Sequence, residues 1–297
     1  MKNRRMMVAM HAKPHHIPVL QKEVCMLLAP QKGDAMLDCT LGAGGHAQLF
    51  LQCIGPTGTL IGLDADRENL AIAQSNLKEW ADSCTFIHAN FREILHLTIP
   101  PVDILFADLG LSSMHINTPE RGFTFHHETE LDMRFNREEG IPAWKWIEQK
   151  SEEELAQALK DYGELQQSRK LARLLKEQAV RTTTDVAECV AELFRWRGKK
   201  MLPQVFQALR IAVNDELGAL CILLKEGPRL LKSKGRMGII SFHSLEDRMV
   251  KQAFRDLTAP PSPYTLLTKK PIRSSEEEVR RNPRSRSAHL RAIQRSS

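Results

Sequence analysis

The 297-residue chain lacks any apolar run that approaches the roughly 20 residues needed to cross a bilayer. Residues 1–14 carry positive charge, but their apolar run is too short for a signal-peptide core, so we expect a flexible N-terminal extension. None of the six cysteines stands in C-x-x-C spacing, which argues against a local zinc knuckle or redox pair, and we predict no metal site. These absences predict a cytoplasmic protein that does not bind membranes.

Net charge is also absent from most of the chain. The formal net charge of +6 lies entirely after residue 268, in a tail where arginine outnumbers lysine. Such a tail is typical of a segment that contacts polyanions, although a solvated, partly disordered tail is an alternative. Within it, Arg284 and Arg286 are candidate RNA-binding residues. We expect the tail to bind RNA backbone and do little else; the competing hypothesis is that residues 288–291 return as an edge strand of a sheet.

Alternating strand and helix signals predict an α/β fold with a mainly parallel, doubly wound sheet. Three of the apolar runs end at an acid, namely Asp38, Asp64 and Asp108. In such sheets ligands bind beyond the carboxyl ends of the strands, where these acids are expected to lie. The predicted strands are 35–38, 59–64, 85–88, 102–108 and 237–241, with helices over 66–80 and about 203–226 and a further helix from Ser244.

The strand signals stop between residues 118 and 200. A capping box of Ser151 and Glu154 and an apolar pattern from Asp185 predict helices there. We therefore expect a helical insertion over 118–200 that covers the mouth of the cleft and recognises the substrate. The remaining parts, 15–117 and 201–297, form the ligand-binding domain in this prediction.

A glycine-rich turn follows the first strand, at Gly42-Ala43-Gly44-Gly45-His46-Ala47. This turn fits the relaxed dinucleotide pattern G-x-G-x-x-G/A, and Asp64 suits a ribose hydroxyl in either case, so the motif alone is weak. Asp38 and Asp108 favour S-adenosylmethionine, because its sulfonium and amino groups are cationic whereas a pyrophosphate would be repelled. Phe91, after the third strand, is a candidate cover for the adenine or a core residue.

Eight distinctive sequence blocks follow one another along the chain. They are His16-Ile17-Pro18-Val19-Leu20, Asp38-Cys39-Thr40-Leu41-Gly42-Ala43-Gly44-Gly45-His46, Asp108-Leu109-Gly110-Leu111-Ser112-Ser113, Arg121-Gly122-Phe123-Thr124-Phe125, Leu131-Asp132-Met133-Arg134, residues 206–217, Ser241-Phe242-His243-Ser244-Leu245-Glu246-Asp247-Arg248 and residues 281–288. These blocks resemble those of the ribosomal RNA small-subunit methyltransferase H family, and the resemblance runs in order from about His16 to Arg295. The later blocks are far more specific than the glycine turn.

The resemblance implies a Rossmann-like class I methyltransferase that methylates the N4 amine of a cytidine in the decoding region of 16S ribosomal RNA. The RNA would be met within the small ribosomal subunit or a late assembly particle. The family usually has Gln where this chain has His115, which can also donate a hydrogen bond, and an acid where it has Asn136. The implied cofactor contacts are Gly44, Gly45, His46, Asp64, Phe91 and Asp108, with His115 in the position of the family's Gln.

Three residues are candidates for the chemistry. Asp108 lies at a strand end, where it would orient the cofactor's amino group or accept a proton from the substrate amine. Ser112 is a candidate hydrogen-bond partner of the base or an ordinary turn residue. His243 is a candidate base, an RNA contact or a satisfied turn histidine.

Three polar residues outside the tail are candidate RNA contacts. Arg210 and Asn214 share one face of the helix at 203–226, and Arg and Asn suit phosphates and base edges, although a solvated face is the alternative. Arg134 belongs to one of the family-like blocks. Two other protein classes remain open from the sequence: a nicotinamide-dependent oxidoreductase, supported only by the glycine turn, and a non-catalytic RNA-binding assembly factor.

Overall fold

The computed structural model describes residues 18–297. The extension predicted for residues 1–14 lies outside the described residues, as do the first two positions of the His16–Leu20 block. Within the described part, no helix is long and apolar enough to cross a membrane.

Within residues 18–297, eight strands form one sheet. They are β1 (Ala35–Asp38), β2 (Thr59–Asp64), β3 (Cys84–His88), β4 (Val102–Asp108), β5 (Leu231–Ser241), β6 (Tyr264–Leu266), β7 (Ile272–Arg273) and β8 (His289–Arg295). Their order is β3-β2-β1-β4-β5-β8-β6, with β7 also paired to β8. The strands β1 to β5 run parallel, so the predicted parallel sheet is confirmed.

Helices cover both faces of the sheet and build a separate helical layer. They are α1 (Gln21–Leu28), α2 (Gly45–Ile54), α3 (Arg67–Asn76), α4 (Ser113–Asn117), α5 (Ala143–Gln149), α6 (Glu152–Gly163), α7 (Ser168–Glu177), α8 (Thr183–Phe194), α9 (Gly198–Asn214), α10 (Glu216–Glu226), α11 (Ser244–Leu257) and α12 (Glu276–Arg281). One apolar cluster joins α1, α2 and α3 to the sheet, and a second joins α10 and α11 to its other face. This arrangement confirms the doubly wound fold.

Two predicted helices are wrong in extent. The helix expected over 203–226 is two helices, because Asp215 adopts a left-handed conformation with φ 47° and ψ 48° between α9 and α10. The helix expected over 66–80 ends at Asn76 and continues as a 3-10 turn. An apolar pattern that runs through a break does not reveal the break, and no glycine marks either one.

The segment 118–200 contains no strand, apart from one isolated bridge between Glu130 and Thr182. The capping box of Ser151 and Glu154 is confirmed at the start of α6. A second box starts α8, with Thr182 as the cap and Asp185 at the third position rather than at the start. The helices share one apolar cluster that reaches from Phe123 to Leu209, beyond the middle of α9.

The basic tail ends inside the sheet. β8 lies between β5 and the short strands β6 and β7, and it pairs antiparallel with all three. Leu290, Ala292 and Ile293 are fully buried, and Arg291 forms two contacts with Asp247 at 2.7 and 3.1 Å. The expectation that the tail contacts RNA and does little else is therefore wrong for β8, which is an interior strand rather than the edge strand of the competing hypothesis.

Candidate active site

Three carboxylates gather where β2, β1 and β4 end side by side. Asp38 pairs in register with Gly62 on β2 and with Phe106 on β4, so Asp64 and Asp108 lie at the ends of the strands beside it. Asp38 is only 1% exposed. Burial, together with the negative charges of Asp108 and Asp64, raises its pKa to about 7, although a hydrogen bond from the Thr40 amide and the nearby His46 act in the opposite direction. This edge of the sheet therefore favours a cationic ligand.

The glycine turn is tied to this edge by Asp64. The Gly42 amide donates to Asp64 Oδ2 at 2.7 Å, and the Asp66 amide donates to Asp64 Oδ1 at 2.8 Å. Gly42 and Gly44 have φ values of 55° and 84°, which side chains rarely adopt. A Cβ on Gly45 would lie 2.6 Å from Pro18 Cγ. Burial raises the pKa of Asp64, and these hydrogen bonds oppose the rise.

His46 fills the space between the glycine turn and Asp108. It stands in the first turn of α2, is 7% exposed and packs its ring on Phe106 at a centroid distance of 4.8 Å. Its Nε2 lies 3.4 Å from Asp108 Oδ2. Neither ring nitrogen has a hydrogen-bond partner among residues 18–297. A buried imidazole without a partner costs free energy unless a ligand satisfies it, so its position fits a binding site.

Asp108 is held by its own backbone. Its amide donates to Thr40 Oγ1 at 2.6 Å, and its Oδ1 accepts from the Gly110 amide at 3.2 Å. The side chain is 18% exposed, and its Oδ2 lies 3.4 Å from His46 Nε2. Phe91 lies at the end of β3, half-buried against the apolar cluster on one face of the sheet.

His115 and Ser112 both have local structural partners. Ser112 Oγ caps α4 by accepting the His115 amide at 3.2 Å. The His115 ring is buried, with Nε2 2.9 Å from Asp66 Oδ2 and its face against Phe135 at 5.1 Å. Arg121 also donates to Asp66, at 2.7 Å. Burial alone would raise the pKa of Asp66, but His115 and Arg121 outweigh it and hold that pKa below its usual value.

A cavity of about 380 Å³ opens near the ends of β2 and β3. Its walls come from the ends of β2 and β3 (Ala65, Asn90), from residues 134–140 of the helical segment and from the end of α9. The Arg134 guanidinium lines it but bonds to Asp132 at 2.7 and 3.1 Å and to the carbonyl of Arg137 at 3.0 Å. The helical segment therefore contributes one wall of a space that starts at the strand ends.

Asn214 closes the same wall from α9. Its Oδ1 accepts the Phe135 amide at 2.8 Å, and its Nδ2 donates to the carbonyls of Met133 at 2.8 Å and Arg210 at 2.9 Å. All of these partners are backbone groups. The side chain thus fastens α9 to the segment 133–135, and its amide is fully engaged without RNA.

Arg210 belongs to a buried polar group with Glu216, His243 and Glu246. Its Nε and one terminal nitrogen bond to the two oxygens of Glu216 at 2.8 and 3.0 Å, and the two side chains are 14% and 10% exposed. Burial and the nearby Glu246 raise the pKa of Glu216, while Arg210 opposes the rise. The Arg210 side chain is only 14% exposed and its guanidinium is paired with Glu216, so the geometry favours a structural pair over an RNA contact.

His243 caps α11. Its Nδ1 accepts the Glu246 amide at 3.4 Å, and its Nε2 lies 3.1 Å from Glu246 Oε1 without a hydrogen-bond geometry. Ligand atoms of Glu216, His243 and Glu246 lie within 4.8 Å of one another, a set that suits a metal, although Arg210 already neutralises Glu216. Of the three roles open to His243 from the sequence, the cap is the one visible in its contacts.

The two candidate RNA-binding arginines of the tail, Arg284 and Arg286, have different surroundings. Arg284 reaches α4, where it donates to Ser113 Oγ at 3.0 Å and to Asn117 Oδ1 at 3.3 Å. Burial against that helix lowers the pKa of Arg284. Arg286 is exposed and bonds to no residue in the described part of the chain.

Comparison with known proteins decides the family. A model of the MraW methylase family matches residues 13–296. The chain belongs to the MraW methylase family. Its relatives include proteins named ribosomal RNA small subunit methyltransferase H from Thermotoga neapolitana (43% identical, 94% of this chain and 96% of that protein), Sorangium cellulosum (42%, 97% and 96%) and Crocosphaera subtropica (45%, 95% and 90%).

The protein is therefore a methyltransferase, and its methyl donor is S-adenosylmethionine. The site fits this donor: three strand-end carboxylates favour its cationic groups, the glycine turn allows a close approach of the backbone, and His46 offers two unsatisfied nitrogens. The oxidoreductase alternative, which rested on the glycine turn alone, is excluded.

Sequence reasoning missed the groups that hold the site in shape. Thr40 supports Asp108, Asp66 joins His115 to Arg121, and Glu216 neutralises Arg210. Arg121 was quoted only as part of a family-like block. No local pattern shows that its guanidinium is buried against an acid 55 positions earlier.

Proposed function

We propose that the protein transfers a methyl group from S-adenosylmethionine to the N4 amine of a cytidine in the decoding region of 16S ribosomal RNA. The observation that carries this proposal is the likeness to proteins named ribosomal RNA small subunit methyltransferase H over nearly the whole chain. The reaction is expected in the cytoplasm, on the small ribosomal subunit or a late assembly particle.

The cofactor would be held at the carboxyl ends of β1, β2 and β4. Gly44, Gly45 and His46 would border its methionine part, Asp64 would accept from its ribose, and Phe91 would cover its adenine. His115 supports this wall through Asp66 rather than replacing the family's Gln directly, because its Nε2 faces Asp66 Oδ2. When bound, S-adenosylmethionine supplies an electrophilic methyl carbon on a positively charged sulfur.

The protein's own groups position the amine and receive its proton. The cytosine amine is a weak nucleophile because its lone pair is delocalised into the ring, so an acceptor for its N–H increases its reactivity. Asp108 is the acid best placed for this role, since it is partly exposed at the cleft and its backbone is fixed by Thr40. The Ser112 hydroxyl, whose oxygen caps α4, retains a proton to donate to the base. His243 would act through Glu246, which it contacts in the first turn of α11, as a positioning residue.

Among the RNA contacts, Arg286 and the exposed face of Arg284 are the strongest assignments. The Arg284 side chain contacts α4, the helix that follows Asp108 and Ser112 in sequence. An RNA bound to Arg284 would therefore lie close to the end of β4 that carries Asp108. For Arg134, Arg210 and Asn214, we propose that the main role is to shape the cleft wall, because their polar groups are engaged within the protein.

The proposal is tested by transfer of a labelled methyl group from S-adenosylmethionine to deproteinised 16S RNA and to small subunits. Asp108→Asn is expected to lower the rate at least 100-fold, because it removes the charged acceptor. Asp161→Asn, a change of the same kind on the exposed side of α6, is the control and should leave the rate unchanged. Label incorporated equally by wild type and Asp108→Asn would remove Asp108 from the chemistry; no label in RNA with the wild type would point to the non-catalytic assembly factor.

A further inference from the structure

One exposed tryptophan stands in a cluster of cations at the turn between α8 and α9. We call Arg195, Trp196, Arg197, Lys199 and Lys200 the Trp196 patch. Trp196 is 83% exposed, the largest exposed fraction of any large apolar side chain in the described part of the chain. The four basic side chains around it are also exposed. Single exposed apolar side chains are common on protein surfaces, but an exposed indole among four cations is the composition of surfaces that stack bases and bind phosphates.

The backbone beneath the patch is fixed on both sides. Phe194 ends α8 and packs into the helical core, and Gly198 starts α9 in a buried position where a Cβ would lie 3.2 Å from Ala191 Cα. Between them, Arg195 adopts a φ of 50° and begins a 3-10 turn. The indole is therefore presented by a rigid turn, which reduces the entropy lost when a ligand binds to it.

A second tryptophan in the same helical layer shows the contrast. Trp144 Nε1 donates to Glu130 at 2.7 Å, its ring carries the Arg181 guanidinium at 3.9 Å, and the side chain packs on the helical core. At Trp196 the Arg197 guanidinium lies 4.8 Å from the ring centroid, but no neighbour packs the ring or bonds to its N–H within residues 18–297. Arg197 covers at most one face of the ring.

The positive charges of the patch are not used inside the protein. Arg195, Arg197, Lys199 and Lys200 make no ion pair or side-chain hydrogen bond with any residue between 18 and 297. Most other arginines of the helical layer have carboxylate or carbonyl partners, as Arg134 and Arg181 do. An indole with one open face stands among four cations that have no carboxylate partner within the described residues, one of which (Arg197) lies over the ring, and this combination matches a ligand that has negative charges and flat rings.

We propose that the Trp196 patch binds a single-stranded segment of the substrate RNA, with one base stacked on Trp196 and the neighbouring phosphates on the basic side chains. This inference rests on the proposed function and extends it. An acidic protein segment would pair with the cations but would offer no flat ring to stack on the indole, so RNA is the better match.

The position of the patch defines which part of the RNA it would bind. α9 runs from Gly198, beside the patch, to Asn214, on the cleft wall. Seventeen residues of helix place these ends about 24 Å apart, at a rise of about 1.5 Å per residue. The patch would therefore hold nucleotides several positions from the target cytidine, and it would contribute affinity rather than chemistry.

The test compares Trp196→Ala, Trp196→Phe and wild type for binding to a fluorescein-labelled, protein-free RNA of the 16S decoding region. Trp196→Ala should weaken binding about 5- to 150-fold, the range for loss of one base stack, and Trp196→Phe should keep most of the affinity. Met26→Ala, which removes another exposed apolar side chain far from α9, should leave binding unchanged. Lys199→Ala with Lys200→Ala should flatten the slope of log affinity against log salt by about 1.4.

Two further readouts separate this role from a structural one. Melting temperature and S-adenosylmethionine affinity should be the same in all variants, and Trp196→Ala should raise KM for RNA without lowering kcat. Equal RNA affinity of Trp196→Ala and wild type would overturn the proposal, and so would a loss seen with small subunits but not with protein-free RNA, which would assign the patch to a protein partner. Because binding is measured without methyl transfer, failure of the proposed reaction and failure of the patch give different results.

Discussion

Replacing Arg210 by alanine is expected to lower the free energy of unfolding by about 3–5 kcal/mol, the usual cost of removing one partner from a buried ion pair. Glu216 is 10% exposed in the wild-type structure and lies close to Glu246. The change removes the two hydrogen bonds that Glu216 accepts from Arg210. An exposed pair provides the matched control: Arg248 lies 3.5 Å from Glu164, with both side chains more than half exposed. Arg248→Ala should cost less than about 1 kcal/mol.

The loss should depend on pH in a defined direction. Burial already raises the pKa of Glu216, and removing Arg210 takes away the charge that opposes the rise. A carboxyl group whose pKa is higher in the folded state destabilises the fold progressively as pH increases, so Arg210→Ala should be more damaging at pH 8 than at pH 5. Urea unfolding followed by circular dichroism at both values measures the difference.

The double variant Arg210→Met, Glu216→Leu removes both charges and should recover most of the stability, because an apolar pair of similar volume avoids the desolvation cost. If Arg210→Ala unfolds like wild type at pH 8 and only RNA binding is weakened, the assignment of Arg210 as a buried structural pair is refuted. Its role as an RNA contact would then be restored.

Four other variants test the site and the tail. The wild-type protein should lose stability relative to Asp38→Asn as pH rises from about 4 to about 7, because the folded-state pKa of Asp38 is raised from 3.8 to about 7. Parallel urea titrations of both proteins across that pH range measure the difference in the free energy of unfolding. Identical pH profiles would contradict the prediction. Asp64→Ala should weaken S-adenosylmethionine binding by about 1–3 kcal/mol in calorimetric titration, and unchanged affinity would remove Asp64 from the site. Arg286→Ala should reduce the slope of log RNA affinity against log salt by about 0.7 without changing the melting temperature. Arg291→Ala should lower the melting temperature, because it breaks the buried pair with Asp247. The reverse pattern would be inconsistent with the interior position of β8.

The parallel sheet was predictable because its central strands are short apolar runs with acids at their ends. The same local signals located Asp38, Asp64 and Asp108 at one edge, and the structure confirms that these strands are neighbours. The capping box of Ser151 and Glu154 was equally visible, because its two partners lie within four residues. Features whose partners are close together in sequence can be predicted from the sequence.

Partners that are distant in sequence were not predictable. Asn214 looks like a solvent-facing residue on a helical wheel, yet it bonds to backbone groups near residue 134 that only the fold brings close. Arg210 looks free because its acid lies beyond an unforeseen break at Asp215. In the tail, residues 288–291 were expected at most as an edge strand, because no local pattern shows that the consecutive residues Leu290 to Ile293 are all buried.

The nucleoside that receives the methyl group can be identified directly in cellular RNA. We expect 16S RNA from cells that contain the protein to yield a methylated cytidine, with the added mass on the base, that is lost from cells without it and restored by the wild-type chain but not by Asp108→Asn. Mass spectrometry of the digested RNA, with fragments assigned to the decoding region, makes this measurement. Identical nucleoside profiles with and without the protein, or a difference confined to another RNA or another base, would contradict the account.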